Sequence, residues 1–349
     1  MNHLVIDPDS KIPNLALMKI SAWAKQKGDH VDLRHPTRVP DEVWISCIFT
    51  WNKEQALGIG SFYEQSAKVH YGGTAFDWGK GNGLDFSERI NLPPEIEFTE
   101  PDYRLYDDDR AVNFSIRGCD RTCSFCDVWR KEGKINPKLY QSPSKWVPDW
   151  MNKVADLSND ISLPSVPKWM HNDIILSCAS SGRKLSITQG YDIRCVTEEK
   201  AQILAENKPW SIHFDEHRLY TAWDLMSSEK AVHHNLPLLL DAGFKGREIF
   251  FFLICGDPTI HAKNHKGFPL TGCALCFQEL KYRHDIVWKQ YGCYPFTMVF
   301  NKRRDDPRLS AFQRWTNKPA LHKTCEWEEY WGNPDRYEEK DSDQGTIEP

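Results

Sequence analysis

The sequence lacks any apolar run long enough to cross a membrane and any basic-then-apolar stretch that would mark a secretory signal. Its most apolar run, residues 249–255, has the length of a β-strand, whereas a membrane-spanning helix needs about 20 apolar residues. A secretory signal joins a basic segment to an apolar one. The sequence therefore predicts a soluble, cytoplasmic protein without a membrane partner.

An excess of charge of either sign is also lacking. The 349 residues include 44 Lys and Arg against 49 Asp and Glu, which gives a formal net charge of -5 at pH 7. Proteins whose chief partner is nucleic acid commonly carry a basic surplus. The composition therefore makes no strong case for nucleic acid as a partner, and it remains compatible with a local basic patch.

Cysteine, in contrast, is plentiful. Eleven cysteines in a chain predicted to be cytoplasmic indicate thiols or metal ligands rather than disulfides. Cys119, Cys123 and Cys126 have the spacing Cys-x3-Cys-x2-Cys, and an apolar strand pattern at 112–116 leads directly into them. Iron–sulfur clusters are usually held by four cysteines. No fourth is near in the sequence, so one iron could stay open to a ligand that is not protein.

This motif resembles that of the radical S-adenosylmethionine (radical SAM) enzymes, including the aromatic Phe125 before the third cysteine. The resemblance implies that the three thiolates hold a [4Fe-4S] cluster, that SAM chelates the fourth iron, and that Phe125 belongs to the SAM site. It further implies that one electron from a flavodoxin- or ferredoxin-type reductant splits SAM. The resulting 5'-deoxyadenosyl radical then acts on an unidentified substrate. The alternative is a non-catalytic zinc-binding protein, although zinc sites usually use four protein ligands in paired spacing.

Alternating strand and helix patterns predict an α/β fold. Residues 1–95 are predicted to form a small Rossmann- or flavodoxin-like domain with strands at 4–6, 31–33, 43–49 and 68–71. Ahead of a radical SAM motif, this domain resembles the cobalamin-binding domain of one radical SAM subgroup, on the cues Pro13-Asn14-Leu15 and Gly72-Gly73. The Asp-x-His-x-x-Gly motif is absent, and a domain of the same shape without cobalamin is the alternative.

Residues 96–305 are predicted to form a partial (β/α)6 TIM-like barrel, the architecture of the radical SAM core. Its predicted strands are 112–116, 161–163, 185–188, 212–214, 249–255 and 296–300. A helix is predicted over 145–157, and another is favoured over 168–181. A further helix is predicted over 198–206, with Thr197 as its N-cap. Residues 306–334 are predicted to be a C-terminal extension and 335–349 a disordered acidic tail.

Chemistry in parallel barrels lies at the C-terminal ends of the strands. Gln189, Asp192 and Arg194 follow the third predicted strand, where the resemblance implies contacts to SAM. Arg194 can pair with a carboxylate through a bidentate fork, and Asp192 or Gln189 can bind the ribose. The family holds the amino group of SAM after strand two, where Ser165 is the candidate. Gly256, after strand five, could let the adenine approach the backbone.

For two further groups of candidate site residues, an ordinary structural role is the alternative. Asp215 and Glu216 follow the fourth predicted strand and could bind substrate or move protons, or simply be a solvated strand end. His261, His265, Cys273 and Cys276 have the spacing His-x3-His-x7-Cys-x2-Cys, which could hold a second metal, or they are polar loop residues.

The sequence thus predicts a radical SAM enzyme whose 5'-deoxyadenosyl radical takes a hydrogen atom from the substrate. If cobalamin binds the first domain, methyl transfer is the expected outcome. Cobalamin-free modification of RNA or another macromolecule is the alternative reaction.

Overall fold

The computed structural model describes residues 1–77, 92–126, 128–256, 274–300 and 307–332, without the side chains of Arg130 and of residues 274–276. The chain separates into two compact units. The first comprises Met1–Phe114 with Pro143–Ala155, and the second comprises Ser115–Ser142 with Asp156–Pro349. The predicted boundary at residue 95 falls inside the first unit by this division.

The first unit contains a four-stranded parallel sheet. Its strands are β1 (Asn2–Ile6), β2 (His30–Leu33), β3 (Glu42–Ser46) and β4 (Lys68–Gly72), in the order β2-β1-β3-β4. These four strands are the four predicted for this part of the chain. The helices are α1 (Leu15–Gln26), α2 (Lys53–Tyr63), α3 (Thr74–Asp77) and α4 (Pro94–Glu97).

Apolar residues on both faces explain why β1 is central. Leu4 packs with Val43 and Ile45 of β3 on one face. Val5 packs with Leu17 of α1 on the other face, because successive strand residues point to opposite sides. Helix α1 begins after Asn14, whose side chain accepts the Leu17 N–H at 3.3 Å, as an N-cap residue should.

The rest of the first unit comes from later in the chain. Strand β5 (Arg110–Asn113) lies beside β6 (Lys153–Asp156), whose last residue belongs to the second unit. A short helix, α6 (Pro143–Trp146), precedes β6.

The second unit has helices at its strand connections and a parallel sheet of three strands. The sheet order is β10 (Tyr294–Val299), β9 (Ile249–Cys255), β8 (Leu219–Ala222). The nearly all-apolar β9 is central, as expected of a strand covered on both faces. Strand β7 (Lys184–Ile187) precedes these. The helices are α5 (Val128–Lys131), α7 (Lys168–Ser180), α8 (Glu198–Glu206), α9 (Glu229–Asp241), α10 (Ala274–Asp285), α11 (Pro307–Asn317), α12 (Pro319–His322) and α13 (Trp327–Trp331).

Three of the predicted elements are wrong. The helix predicted over 145–157 stops at Trp146, because Pro148 cannot continue it, and the same range contains β6. The predicted strand 161–163 is a turn in which Asp160 accepts the Ser162 N–H at 2.9 Å. The predicted strand 212–214 is also a turn, since Phe214 has a φ of 60°, which a strand residue does not adopt.

The α/β class is confirmed, and the favoured helix over 168–181 is confirmed as α7. Thr197, the predicted N-cap of α8, accepts the Lys200 N–H at 3.3 Å. Within the described ranges, no helix combines the length and apolar character that a membrane span requires.

Candidate functional site

The cysteine motif lies in a loop whose path depends on Gly118. This residue has a φ of 97°, and a Cβ there would lie 2.6 Å from the carbonyl oxygen of Lys134. Only glycine tolerates both conditions. The Gly118 N–H donates to Asn159 Oδ1 at 2.9 Å, and the Cys119 N–H donates to the Gly133 carbonyl at 3.0 Å. The loop is therefore held by the segment that follows it and by the turn after β6.

None of the three motif cysteines forms a disulfide, and all three line one cavity of about 280 Å³. The Cys126 N–H donates to the Cys123 carbonyl at 3.1 Å, which folds the second half of the motif into a tight turn. Burial raises the pKa of Cys119 to about 11 and also raises the pKa of Cys123. These thiols therefore keep their protons at neutral pH unless a metal replaces them.

Gln189, Asp192 and Arg194, which the sequence places together after one predicted strand, also line this cavity. Asp192 accepts hydrogen bonds from Arg194 Nε at 2.7 Å and from Arg121 Nη2 at 2.8 Å. Burial would raise the pKa of Asp192, but the hydrogen bonds and charges of the two guanidinium groups lower it below its usual value. Two arginines around one carboxylate leave an excess positive charge, which suits an anionic ligand group.

Two carboxyl groups that the sequence reasoning missed also line the cavity. Asp160 follows β6 and Asp224 follows β8. Burial raises the pKa of each to about 6, and the charge of nearby Asp192 adds to the rise in both cases. Asp224 accepts the Ile254 N–H at 3.2 Å. Both residues were missed because the strand before Asp160 was predicted too late, at 161–163, and the strand before Asp224 too early, at 212–214. The apolar pair Val154-Ala155 directly before Asp156 was the signal that could have found Asp160.

Thr221 was missed for the same reason. It lies in β8, lines the cavity and is 2% exposed. Its hydroxyl has no hydrogen-bond partner among the described residues. A buried hydroxyl without a partner is costly, so this position favours a ligand that can hydrogen-bond to it.

Of the other predicted site residues that the structure describes, one lines the cavity and the rest do not. Phe125 lines the cavity, whereas Ser165, Asp215 and Glu216 are exposed and do not. Gly256 is buried just after β9 with a φ of 76° and is not in the cavity wall. His261, His265 and Cys273 lie outside the described residues, as does the side chain of Cys276.

Within the described part of the chain, no group of three or more His, Cys, Asp or Glu side chains is arranged to hold a single metal ion. Compared with models of known protein families the chain matches none, and compared with the curated proteins it matches none either. The residues of the cavity are therefore the basis on which we infer a function.

Proposed function

We propose that this chain is a radical SAM enzyme that uses a [4Fe-4S] cluster to cleave SAM reductively. The observation that carries the proposal is the shared cavity. Three thiols of the Cys-x3-Cys-x2-Cys motif line it together with Arg194, Asp160 and Phe125. A cluster and the charged amino-acid end of SAM need these groups in one place.

The donor set fits a cluster of this kind. Cysteine thiolates are the usual ligands of iron–sulfur clusters, and none of these three is engaged in a disulfide. In a cluster each thiolate binds a different iron, so three cysteines need not converge on a single ion. The raised pKa values of Cys119 and Cys123 make iron binding a proton-releasing step. When bound, the cluster would supply the electron that splits SAM.

Charged groups of the cavity match the methionine end of SAM. Arg194 would pair with its carboxylate, and Asp192 orients Arg194 by accepting both Nε and Nη2 hydrogen bonds. Asp160 would bind the amino group, which replaces the sequence assignment to Ser165. Its position after β6 is where the family resemblance places that contact, and the charged amino group would favour the ionised form of Asp160.

The ribose and adenine have candidates as well. Asp192 is already bound by two arginines, so the ribose hydroxyls would bind Gln189 or the pair Thr221 and Asp224. A diol could donate to the carboxylate of Asp224 while it satisfies the unpartnered Thr221 hydroxyl. Phe125, Leu225 and Phe252 give the cavity an apolar part, which would exclude water from the reacting atoms.

The finer architecture is part of the proposal. The order β2-β1-β3-β4 in a parallel sheet supports a Rossmann- or flavodoxin-like first domain. In the second unit, cavity residues follow the strands β7 and β8. This placement at C-terminal strand ends supports the partial radical SAM barrel.

The first unit does not fit cobalamin well. In a doubly wound domain ligands bind beyond the ends of β1 and β3, but there Asp9 already accepts the N–H groups of Ile48 and Phe49, at 3.0 and 2.7 Å. The Gly72-Gly73 cue has a structural explanation, because a Cβ on Gly73 would lie 2.3 Å from the Cys47 carbonyl oxygen. We therefore propose a reaction that does not draw on cobalamin.

Anaerobic reconstitution with iron and sulfide tests the proposal. We expect a brown protein whose visible absorption is bleached by dithionite and which forms 5'-deoxyadenosine from SAM. Cys119→Ser should abolish both properties, whereas Cys325→Ser, a half-buried cysteine outside the motif, should retain them. A colourless protein that holds stoichiometric zinc through Cys119, Cys123 and Cys126 would support the non-catalytic alternative instead.

A further inference from the structure

The residues that follow the cysteine motif form a basic segment, defined here as residues 128–140. It contains Arg130, Lys131, Lys134 and Lys138 and a single acidic residue, Glu132. Glu132 is neutralised by Arg117, whose Nε lies 2.7 Å from Glu132 Oε2. The segment therefore carries positive charge in a chain whose formal net charge is -5.

This basic segment is in direct contact with the cysteine loop. The Gly133 carbonyl accepts the Cys119 N–H at 3.0 Å, so one hydrogen bond joins the segment to the first motif cysteine. Asp120 Oδ1 accepts the Ile135 N–H at 3.3 Å. Gly118 lies so close to the Lys134 carbonyl that no side chain fits between them. The segment thus packs directly against the cysteine loop.

The exposed side chains of the segment combine cations with apolar groups. Lys134 and Lys138 are exposed, and no described residue forms an ion pair with either. Leu139 is 53% exposed. Next to it, Tyr140 makes an edge contact with Trp169 at 5.4 Å between ring centroids, and Trp169 is 60% exposed. An apolar centre beside unpaired cations is the composition of a docking surface for an acidic protein.

We propose that the basic segment, together with Trp169, is the docking surface for an acidic one-electron donor protein. The inference rests on the proposed function, because the docking surface has this role only if the cluster takes an electron from outside to split SAM. The donor loses one electron and the sulfonium of SAM gains it. The bond between C5' and sulfur then breaks, which gives methionine and the 5'-deoxyadenosyl radical, and no proton moves. Opposite charges speed the encounter, and such electron-transfer contacts are small and transient.

The test compares two sources of electrons in the reconstituted full-length enzyme. The double variant Lys134→Glu/Lys138→Glu is assayed for 5'-deoxyadenosine with reduced flavodoxin, an acidic protein donor, and separately with dithionite, a small reductant that needs no docking surface. We expect the KM for flavodoxin to rise at least about tenfold, as for other reversed charges in a steered encounter, and the dithionite-driven rate to stay unchanged. Lys318→Glu, an exposed lysine outside the segment, is the matched control and should change neither.

Salt gives a second readout. The wild-type KM for flavodoxin should rise with ionic strength, because salt screens exposed charges, and the double variant should show little dependence. A variant with an unchanged KM, or a wild-type KM insensitive to salt, overturns the docking proposal. If the double variant binds less iron than the wild type, the single variant Lys138→Glu is used for the same comparison. Lys138 is further along the segment from the contact with Gly118, so this substitution should leave the cysteine loop intact. A wild-type enzyme inactive with dithionite as well would instead reject the radical SAM function.

Discussion

At the scale of single residues, burial sets the protonation of the cavity carboxyls. The pKa of Asp224 rises to about 6 from an ordinary value of 3.8. A carboxyl group whose pKa is raised by folding makes its full contribution to stability only at pH values below its pKa in the unfolded chain. That contribution is lost as the pH rises through about 6. The ionised form of Asp224 therefore destabilises the ligand-free protein at neutral pH. A destabilising charge of this kind is common at binding sites.

Asp224→Asn should consequently stabilise the apoprotein at high pH. Asparagine stays neutral and can still accept the Ile254 N–H. We expect the free energy of unfolding to rise by about 3 kcal/mol at pH 8, since each pKa unit corresponds to about 1.4 kcal/mol, and to change little at pH 4. Urea unfolding at the two pH values measures this difference.

Asp215→Asn provides a control in which the stability at pH 8 should change in the opposite direction. The hydrogen bond from Ser211 lowers the pKa of exposed Asp215. Its ionised form therefore stabilises the fold above its unfolded pKa, and the substitution should lower stability at pH 8 slightly. Equal behaviour of the two variants would contradict the burial argument at Asp224.

Gly118→Ala should disrupt the cysteine loop. The alanine would need a φ of 97° and would place its Cβ 2.6 Å from a backbone oxygen, which we expect to cost more than about 2 kcal/mol and to prevent reconstitution of the cluster. Gly133→Ala is the matched control. Gly133 has a φ of 75° but no atom within 4 Å of a Cβ, so about 1 kcal/mol and a normal iron content are expected. Iron analysis and urea unfolding of both variants distinguish steric conflict from backbone strain.

At the scale of elements, one arginine of α10 holds the ends of two strands. Arg283 is 3% exposed and donates to the carbonyl oxygens of Trp223 and Asp224 after β8 and of Ile254 in β9, at 2.5, 3.0 and 2.9 Å. It thereby fixes the backbone that carries Asp224 at the cavity.

Arg283→Met should remove these bonds and leave buried carbonyl groups without donors. We expect a loss of about 3 kcal/mol in urea unfolding, as for other buried charged hydrogen-bond groups. Lys281→Met on the same helix removes only surface pairs with Asp285 and Glu328 and should cost less than about 1 kcal/mol. A similar small loss in both variants would show that Arg283 does not organise the strand ends.

The helices and strands also differ in how well their local sequence predicts them. The strand at 249–255 and the helix capped by Thr197 were predicted correctly because their patterns are long or include a specific cap. The runs 161–163 and 212–214 are too short for periodicity to separate a strand from a buried turn. That error shifted two strand ends, so Ser165, Asp215 and Glu216 were chosen instead of Asp160 and Asp224.

At the scale of the whole molecule, binding of the proposed cluster should stabilise one unit selectively. The motif and the cavity walls all belong to the second unit, and a ligand slows opening of the parts that must be folded to bind it. Removal of iron should therefore accelerate hydrogen exchange in 115–142 and after β6, β7 and β8. Exchange in β1–β4 should change little.

Hydrogen-exchange mass spectrometry of the loaded and iron-free protein measures this pattern. The Cys119→Ser variant, treated in the same way, should show no difference between the two preparations. A uniform acceleration over both units would instead mean that the cluster site governs the stability of the entire chain.

The sequence by itself determined the α/β class, most strands and helices, and the close grouping of three cysteines, because each of these depends on residues near one another in the chain. Tertiary structure alone decided which carboxyl groups join the thiols. Asp160 and Asp224 reach the cavity of Cys119 only because their strands end beside it, and strand ends are fixed by sheet pairing and buried contacts between distant residues rather than by local preference.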